Sequence, residues 1–281
     1  MWTRDLDLLV PLWQGADDVR VRDGAAALGA LIPPGPARVV VPVPGGGSAR
    51  SSGVRHRAAV ARAVRDQQEL LRQHGPGRLL TLGGDCTVEV AAVAHLAGRY
   101  GPRLFVLWID AHADLNTPET SPSGTAHGMP LRLLLRPDRV GPPGPITPLP
   151  APGCLTPEQV ALAGVRDLDP AEARYIEEHA LPRVTVADLD AAPGTLAVLA
   201  PAGAAVYVHL DLDVIEESEL PAVAVPTPGG VPVASLVRAL AMVQASHEVV
   251  GVGITEYVPQ VAHDRDVLAR LAGALGLSRS G

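Results

Sequence analysis

The chain has 281 residues, enough for one large α/β domain or two small ones with a full hydrophobic core. Its formal net charge of −7 argues against a nucleic-acid or anionic-membrane partner, and the absence of lysine excludes Schiff-base catalysis and a Walker-type phosphate loop. Two cysteines in a chain of this length make no disulfide framework and suit a reducing compartment.

The first residues, MWTRDLDLLVPLWQ, lack the basic and continuously apolar regions of a secretion signal. No later run approaches 18 apolar residues, the length that a membrane-spanning helix needs. We therefore expect a soluble, cytoplasmic protein.

Short apolar runs alternate with longer segments of helical spacing. The apolar runs predict strands buried on both faces, at residues 38–43, 78–82, 103–109, 159–165, 183–189, 204–210 and 248–254. The helical segments end near glycine or in polar residues and cover residues 53–75, 87–101, 232–246 and 264–277. This alternation predicts a mostly parallel sheet flanked by helices.

The segment RPDRVGPPGPITPLPAPG, residues 136–153, is rich in proline and glycine and predicts a long surface loop. The strand pattern resumes unchanged after it, so we interpret it as a loop and not as a linker between domains. The sequence therefore predicts one domain over residues 1–281.

Acidic residues follow the predicted strands. They are Asp85, Asp110, Asp114, Asp167, Asp169, Asp211, Asp213 and Glu256. Ligands of such sheets bind outside the carboxyl ends of the strands, so these residues mark a candidate site.

Carboxylates packed together are costly unless a cation compensates them. Asp110, His112 and Asp114 alternate with period two after one strand, and Asp211 and Asp213 do so after another. These ligands are too many for one catalytic zinc ion and suit two metals bridged by carboxylates, for which oxygen-rich ligation favours Mn²⁺.

The motifs GGDC (83–86), DAHADLN (110–116), SGTAHGMP (123–130), DLD (211–213) and GITEYVP (253–259) resemble, in order and spacing, those of the arginase/agmatinase, or ureohydrolase, family. The resemblance implies a single α/β domain with a mostly parallel sheet of about eight strands and manganese-assisted hydrolysis of a guanidinium. It implies one metal on Cys86, Asp110, Asp114 and Asp211. It implies a second metal on Asp110, His112, Asp211 and Asp213.

Cys86 stands where the family usually has histidine, and the same cysteine resembles the Nω-hydroxyarginine hydrolases of the family. A thiolate can ligate a metal, adds negative charge and shifts the preference toward Zn²⁺ or Co²⁺. The alternative is that Cys86 is a small buried apolar residue without a metal. His127, in contrast, is retained as in ordinary arginases.

The resemblance and the chemistry of the side chains assign the remaining roles. Asp114 would orient the attacking water, His127 would shuttle a proton, and Glu256 would accept hydrogen bonds from the guanidinium. By resemblance, Asp169 contacts the substrate α-amino group, and Asn116 and Ser123 contact its α-carboxylate.

The sequence therefore predicts a dimanganese amidinohydrolase that acts on the guanidino group of arginine or a close α-amino acid analogue. Nω-hydroxyarginine or another guanidino acid is the alternative substrate, and a non-catalytic, ligand-binding member of the family is the alternative of another class. The oligomeric state stays open, a homo-oligomer included.

Overall fold

The computed structural model describes residues 2–135 and 154–278, and within them eight strands form one sheet. The strands are β1 Leu6–Val10, β2 Arg38–Val40, β3 Leu79–Gly83, β4 Leu104–Ile109, β5 Val160–Ala163, β6 Arg183–Val184, β7 Ala205–Asp211 and β8 Glu248–Thr255. Their order is β2-β1-β3-β8-β7-β4-β5-β6, and every neighbouring pair is parallel.

Nine α-helices connect or flank these strands in the same part of the chain. They are α1 Gly24–Leu31, α2 Arg57–His74, α3 Glu89–Tyr100, α4 Pro130–Leu134, α5 Pro170–Glu178, α6 Val186–Ala191, α7 Thr195–Leu199, α8 Val233–Ser246 and α9 Asp266–Ala274. No helix of the described residues is long and apolar enough to cross a membrane.

Two hydrophobic cores lie on the opposite faces of the sheet, because successive strand residues point to opposite sides. Leu80 and Leu107 join a core that includes side chains of α1, α8 and α9. Leu79 and Val106 join the other core, which includes side chains of α2 and α3. The described residues therefore form a single α/β domain, and the predicted fold class is confirmed; its extent over residues 1–281 stays a prediction.

The four central strands β3, β8, β7 and β4 are neighbours in the sheet. β3 and β4 follow one another in the sequence but are separated by β8 and β7. Since all four strands are parallel, their carboxyl ends open at the same edge of the sheet. That edge is where the sequence places the acidic residues.

The prediction of strands differed most from the structure at two places. β1 was not among the predicted strands, although all five of its residues are buried. The predicted strand 183–189 ends after Val184, because Thr185 and Asp188 form a capping box that starts α6.

The helix prediction missed α1, α5 and the short helices α4, α6 and α7, and the four helices that it included are present. The predicted surface loop 136–153 lies outside the described residues.

Candidate metal centre and active-site cavity

One cavity lies at the carboxyl ends of the four central strands. All predicted site residues except Asp110 line it, namely Cys86, His112, Asp114, Asn116, Ser123, His127, Asp169, Asp211, Asp213 and Glu256. Asp110 is buried directly after β4. The structure thus brings the predicted residues together, and their individual roles stay predictions.

Two groups of donor atoms in the described residues lie close enough to hold metal ions. Cys86, Asp110, His209 and Asp211 each offer one atom to a fully buried group, and Asp110, His112 and Asp213 form a second group. Within each group the donor atoms lie within 4.8 Å of one another. Asp110 belongs to both groups, as a carboxylate that bridges two ions would.

The second group is held by short contacts between neighbouring strands. His112 Nδ1 lies 3.0 Å from Asp213 Oδ2 and 3.5 Å from Asp110 Oδ1. The backbone N–H of Ala111 donates to Asp213 Oδ1 at 3.1 Å, and Trp108 Nε1 donates to Asp110 Oδ2 at 3.1 Å. These contacts hold the His112 imidazole and the carboxylates of Asp110 and Asp213 close to one another, as ligands of one ion would be.

Cys86 opens a short 3-10 helix, Cys86–Val88, that Asp85 caps by accepting from the Thr87 N–H. The Cys86 thiol donates to Asp211 Oδ2 at 2.8 Å. Burial, together with the charge of Asp211, raises the pKa of Cys86 well above its usual value. Without a cation the thiol therefore keeps its proton, and a bound metal ion would be needed to ionise it.

Burial of three of the site carboxylates is not offset by nearby protein cations. Burial and the neighbouring Asp213 raise the pKa of Asp211 well above its usual value. Burial and Asp110 raise the pKa of Asp114 and Asp213 in the same way. Divalent cations would relieve this repulsion, so the donor set fits metal ions.

Asp114 lies beside these groups and belongs to neither. Among the described residues, its buried Oδ2 has no hydrogen-bond partner, and its backbone has a φ of +53°, which is unusual for a non-glycine residue. Such strain is common at functional sites, and an unpartnered buried oxygen is suited to a metal ion or a water molecule.

Glu256 follows β8 and also has a left-handed backbone, with a φ of +64°. Its Oε1 accepts from the Cys86 N–H at 3.1 Å and lies 3.1 Å from His127 Nδ1. Its Oε2 is buried and has no hydrogen-bond partner within residues 2–135 and 154–278. Burial raises the pKa of Glu256 and lowers that of His127, so the pair lacks a cation that would stabilise the carboxylate.

Polar side chains line the cavity away from the metal groups. Asn116 Nδ2 donates to Asp169 Oδ2 at 2.8 Å, and Glu172 accepts from the backbone N–H groups of Leu115 and Asp169. Ser123 is exposed at the cavity and bonds Thr125 at 2.6 Å. These groups offer both a carboxylate and neutral donors to a substrate.

Sequence reasoning gave no metal role to His209 and did not identify Glu89. His209 lies two residues before Asp211 on β7 and is fully buried, and Glu89 is the first residue of α3. The spacing of His209 and Asp211 was the available signal for His209. Glu89 gave none, because a glutamate at the start of a helix is common.

The fold is shared with a solved arginase. The native structure of the Bacillus caldovelox arginase at pH 5.6 has a TM-score of 0.84 and 27% identity, and the match covers 99% of this chain and all of that one. Within the described residues, the chain thus combines the fold of a solved arginase with two overlapping groups of possible metal donors at the carboxyl edge of its sheet.

The family follows from the sequence comparisons. The model of the arginase family matches residues 37–279. Arginases of Staphylococcus aureus (strain MRSA252) and Bacillus caldovelox are 31% and 34% identical over 204 and 207 residues. Each alignment covers 70% of this chain and 66% of the relative's length, just under two thirds. The chain belongs to the arginase family.

Proposed function

We propose that this chain hydrolyses the guanidinium group of arginine or a close α-amino acid analogue. The products would be urea, or a substituted urea, and an amine such as ornithine. The observation that carries the proposal is a single cavity that combines metal donors, the unpartnered oxygen of Glu256 and the Asn116–Asp169 pair.

We further propose that two divalent ions are bound, with Mn²⁺ as the expected metal and Zn²⁺ or Co²⁺ favoured wherever the Cys86 thiolate is a ligand. Asp110 and Asp211 would be the shared carboxylates, and His112 and Asp213 would complete the oxygen-rich position. When bound, such ions act as Lewis acids that activate water near neutral pH and orient the substrate.

Glu256 would bind the guanidinium. Its Oε1 is held by the Cys86 N–H and His127, which leaves Oε2 free to accept from a guanidinium N–H. The cation would also compensate the charge of a carboxylate whose pKa burial raises. Substrate binding would therefore supply the positive charge that compensates the Glu256 carboxylate.

His127 and Asp114 would handle the protons of the reaction. The unpartnered Asp114 Oδ2 would accept a hydrogen bond from the attacking water and orient it. His127, a cavity residue, would take up a proton and deliver it to the leaving amine.

The opposite end of the cavity would select an α-amino acid. The Asp169 carboxylate suits an ammonium group, and Asn116 and Ser123 supply neutral donors for a carboxylate. Agmatine keeps a primary amine at this end but lacks the α-carboxylate, so it would leave Asn116 and Ser123 unused.

Cys86 favours a second candidate, an Nω-hydroxylated guanidine, because this cysteine resembles the one that Nω-hydroxyarginine hydrolases have at the same motif. Both candidates use the same cavity and the same Glu256 oxygen. They differ in the product, urea in one case and hydroxyurea in the other.

The test is a screen of arginine, Nω-hydroxyarginine, agmatine and guanidino acids without an α-amino group, with Mn²⁺, Zn²⁺ or Co²⁺ added. We expect urea or hydroxyurea from the α-amino acids and far less product from agmatine. The Asp211→Ala variant, which lacks a carboxylate of both proposed metal positions, is the control and should be inactive. A protein that binds two metals and releases no urea or hydroxyurea from any compound would contradict the proposal and favour a ligand-binding member of the family.

A further inference from the structure

Behind Cys86, a histidine and a glutamate lie in the core of the sheet. His209 on β7 and Glu89 on α3 are both fully buried. His209 Nδ1 and Glu89 Oε1 lie 3.5 Å apart, at the distance of an ion pair, and neither atom has a hydrogen-bond partner among the described residues. An ionisable pair without ordinary hydrogen bonds is costly in a hydrophobic core, so its placement requires a physical reason.

The other ring nitrogen of His209 faces the first donor group. Nε2 lies 3.7 Å from Asp110 Oδ2 and 3.9 Å from Cys86 Sγ. The separation from Asp110 Oδ2 exceeds an ordinary hydrogen bond between nitrogen and oxygen, and the separation from Cys86 Sγ is at the long end of a contact with sulfur. Two ligands bound at about 2.0–2.3 Å to one ion stand about 3–4 Å apart, which matches these separations.

The orientation of the imidazole is held by its neighbours. The ring stacks on Trp108 of β4, with centroids 3.7 Å apart and planes inclined by 26°. Its register partner on β8 is Gly253, where any side chain would collide with the Glu89 carboxylate. Tyr207 donates a short hydrogen bond to Glu89 Oε2. Gly253 thus leaves room for the Glu89 carboxylate, and the hydrogen bond from Tyr207 holds it next to His209.

A carboxylate on one ring nitrogen with a metal on the other is the usual way in which proteins orient a ligating histidine. We propose that His209 is a metal ligand of the first ion through Nε2, together with Cys86, Asp110 and Asp211, and that Glu89 positions it through Nδ1–H. This inference rests on the proposed two-metal site and adds a ligand that the sequence motifs do not assign.

The donor set also changes the metal that this position prefers. One thiolate, one imidazole and two carboxylates make a softer set than the carboxylates and single imidazole of the second position. The first position therefore prefers Zn²⁺ or Co²⁺, and the second retains the oxygen-rich character that suits Mn²⁺.

The experiment is a titration of the metal-free protein with Co²⁺, followed by the absorption of the thiolate-to-cobalt charge transfer and by total metal content. Wild type should bind two Co²⁺ ions, one of which produces the thiolate band. Cys86→Ser should lack the band, which shows that the other cysteine, Cys154, does not produce it. His95→Gln, a change of a half-buried histidine outside the site, should titrate as wild type does.

His209→Gln should raise the Co²⁺ concentration needed for half of the thiolate band by about a hundredfold or more, and Glu89→Gln by about tenfold to a hundredfold. The ion that gives no thiolate band should bind as in wild type. Far-UV circular dichroism of the metal-free variants checks their folding, and if His209→Gln does not fold, Glu89→Gln decides the outcome alone.

An unchanged thiolate-band titration in the folded variants would overturn the proposal. His209 would then be a packing residue, and the first metal would have the ligands that the family resemblance implies, with Asp114 in place of His209. Absence of the band in wild type would overturn it as well. Because the readout is metal binding, a failure to release urea would contradict the proposed function without affecting this test.

Discussion

The two non-glycine site residues with left-handed backbones are both carboxylates. Asp114 and Glu256 have φ values of +53° and +64°, a conformation that costs of order 1–3 kcal/mol each. The Glu256 N–H donates to the Gly84 carbonyl at 2.7 Å, which holds the bend after β8. In both residues, one carboxylate oxygen is buried without a hydrogen-bond partner in the part of the chain that the structure describes. The two strained residues are thus also the ones whose carboxylates line the cavity and can still accept a hydrogen bond.

Replacement of Glu256 by glutamine tests its role at the guanidinium. The amide keeps the shape and the contact with the Cys86 N–H but removes the charge. A hydrogen bond to a charged group contributes about 1.5–3 kcal/mol, so kcat/KM should fall by about tenfold to a hundredfold. The exposed Glu119→Gln is the control and should keep its activity. Steady-state kinetics that show an unchanged kcat/KM for Glu256→Gln would exclude a charged contact with the substrate.

Asp169→Asn tests the α-amino end of the substrate. The substitution keeps an oxygen next to Asn116 and removes the charge that would bind an ammonium. Activity on arginine should fall at least about tenfold, mainly through KM, because a charge-assisted hydrogen bond is lost. A guanidino acid without the α-amino group should be hydrolysed as by wild type. Equal losses on both substrates would remove Asp169 from substrate recognition.

At the scale of the elements, much of the site follows from strand ends. Asp110, Asp211 and Glu256 could be predicted because each comes at the end of a long apolar run, and those runs form β4, β7 and β8. His209 is harder to predict as a site residue, because a residue inside a buried strand is indistinguishable from an ordinary core residue until its spatial neighbours are known. The strand order, which places Gly253 opposite His209, is a long-range property that no local pattern contains.

β1 shows why one strand was missed. Asp7 interrupts its apolar run, yet it is fully buried, since Arg4 Nε donates to it at 2.5 Å and Arg38 Nη2 at 2.9 Å. The Gly35 N–H donates to the same carboxylate at 2.9 Å. Arg38 lies on β2, so this buried ion cluster joins two strands at the sheet edge. Asp7 is therefore an acidic residue that lies outside the cavity and has a structural role.

Asp7→Asn should therefore destabilise the fold. Loss of the carboxylate leaves two largely buried guanidinium groups without their counter-charge, which costs about 3–5 kcal/mol. Asp66→Asn, which breaks the exposed pair with Arg62, is the matched control and should change little. Chemical denaturation with urea measures both. Equal free energies of unfolding for the two variants would contradict the structural role of Asp7.

At the scale of the whole molecule, the fold brings carboxylates that repel one another together at one edge of the sheet. The central strands bring several carboxylates and a thiol into one buried region. Burial and mutual repulsion raise the pKa of Asp114, Asp211, Asp213 and Glu256. The folded chain should therefore be less stable without bound cations than with them.

Removal of metal by a chelator should lower the midpoint of thermal unfolding. Ions that bind only the folded chain at a hundred times their dissociation constant stabilise it by about 2.7 kcal/mol each. This corresponds to a change of about 5–10 °C for each ion in a chain of this size. Calorimetry of the metal-free and reconstituted protein gives the shift. The Asp211→Ala variant should show a much smaller shift, and an equal shift in both proteins would place the stabilising ions elsewhere.

The most direct test of the account is a titration of the metal-free protein with Mn²⁺ in which bound metal and guanidino hydrolysis are measured together. Arginine and Nω-hydroxyarginine are the substrates, and the products are urea and hydroxyurea. We predict that two ions bind per chain and that product release rises mainly with the second. Full product release without bound metal, or two bound ions with neither product formed, would contradict the assignment of this cavity as a two-metal amidinohydrolase site.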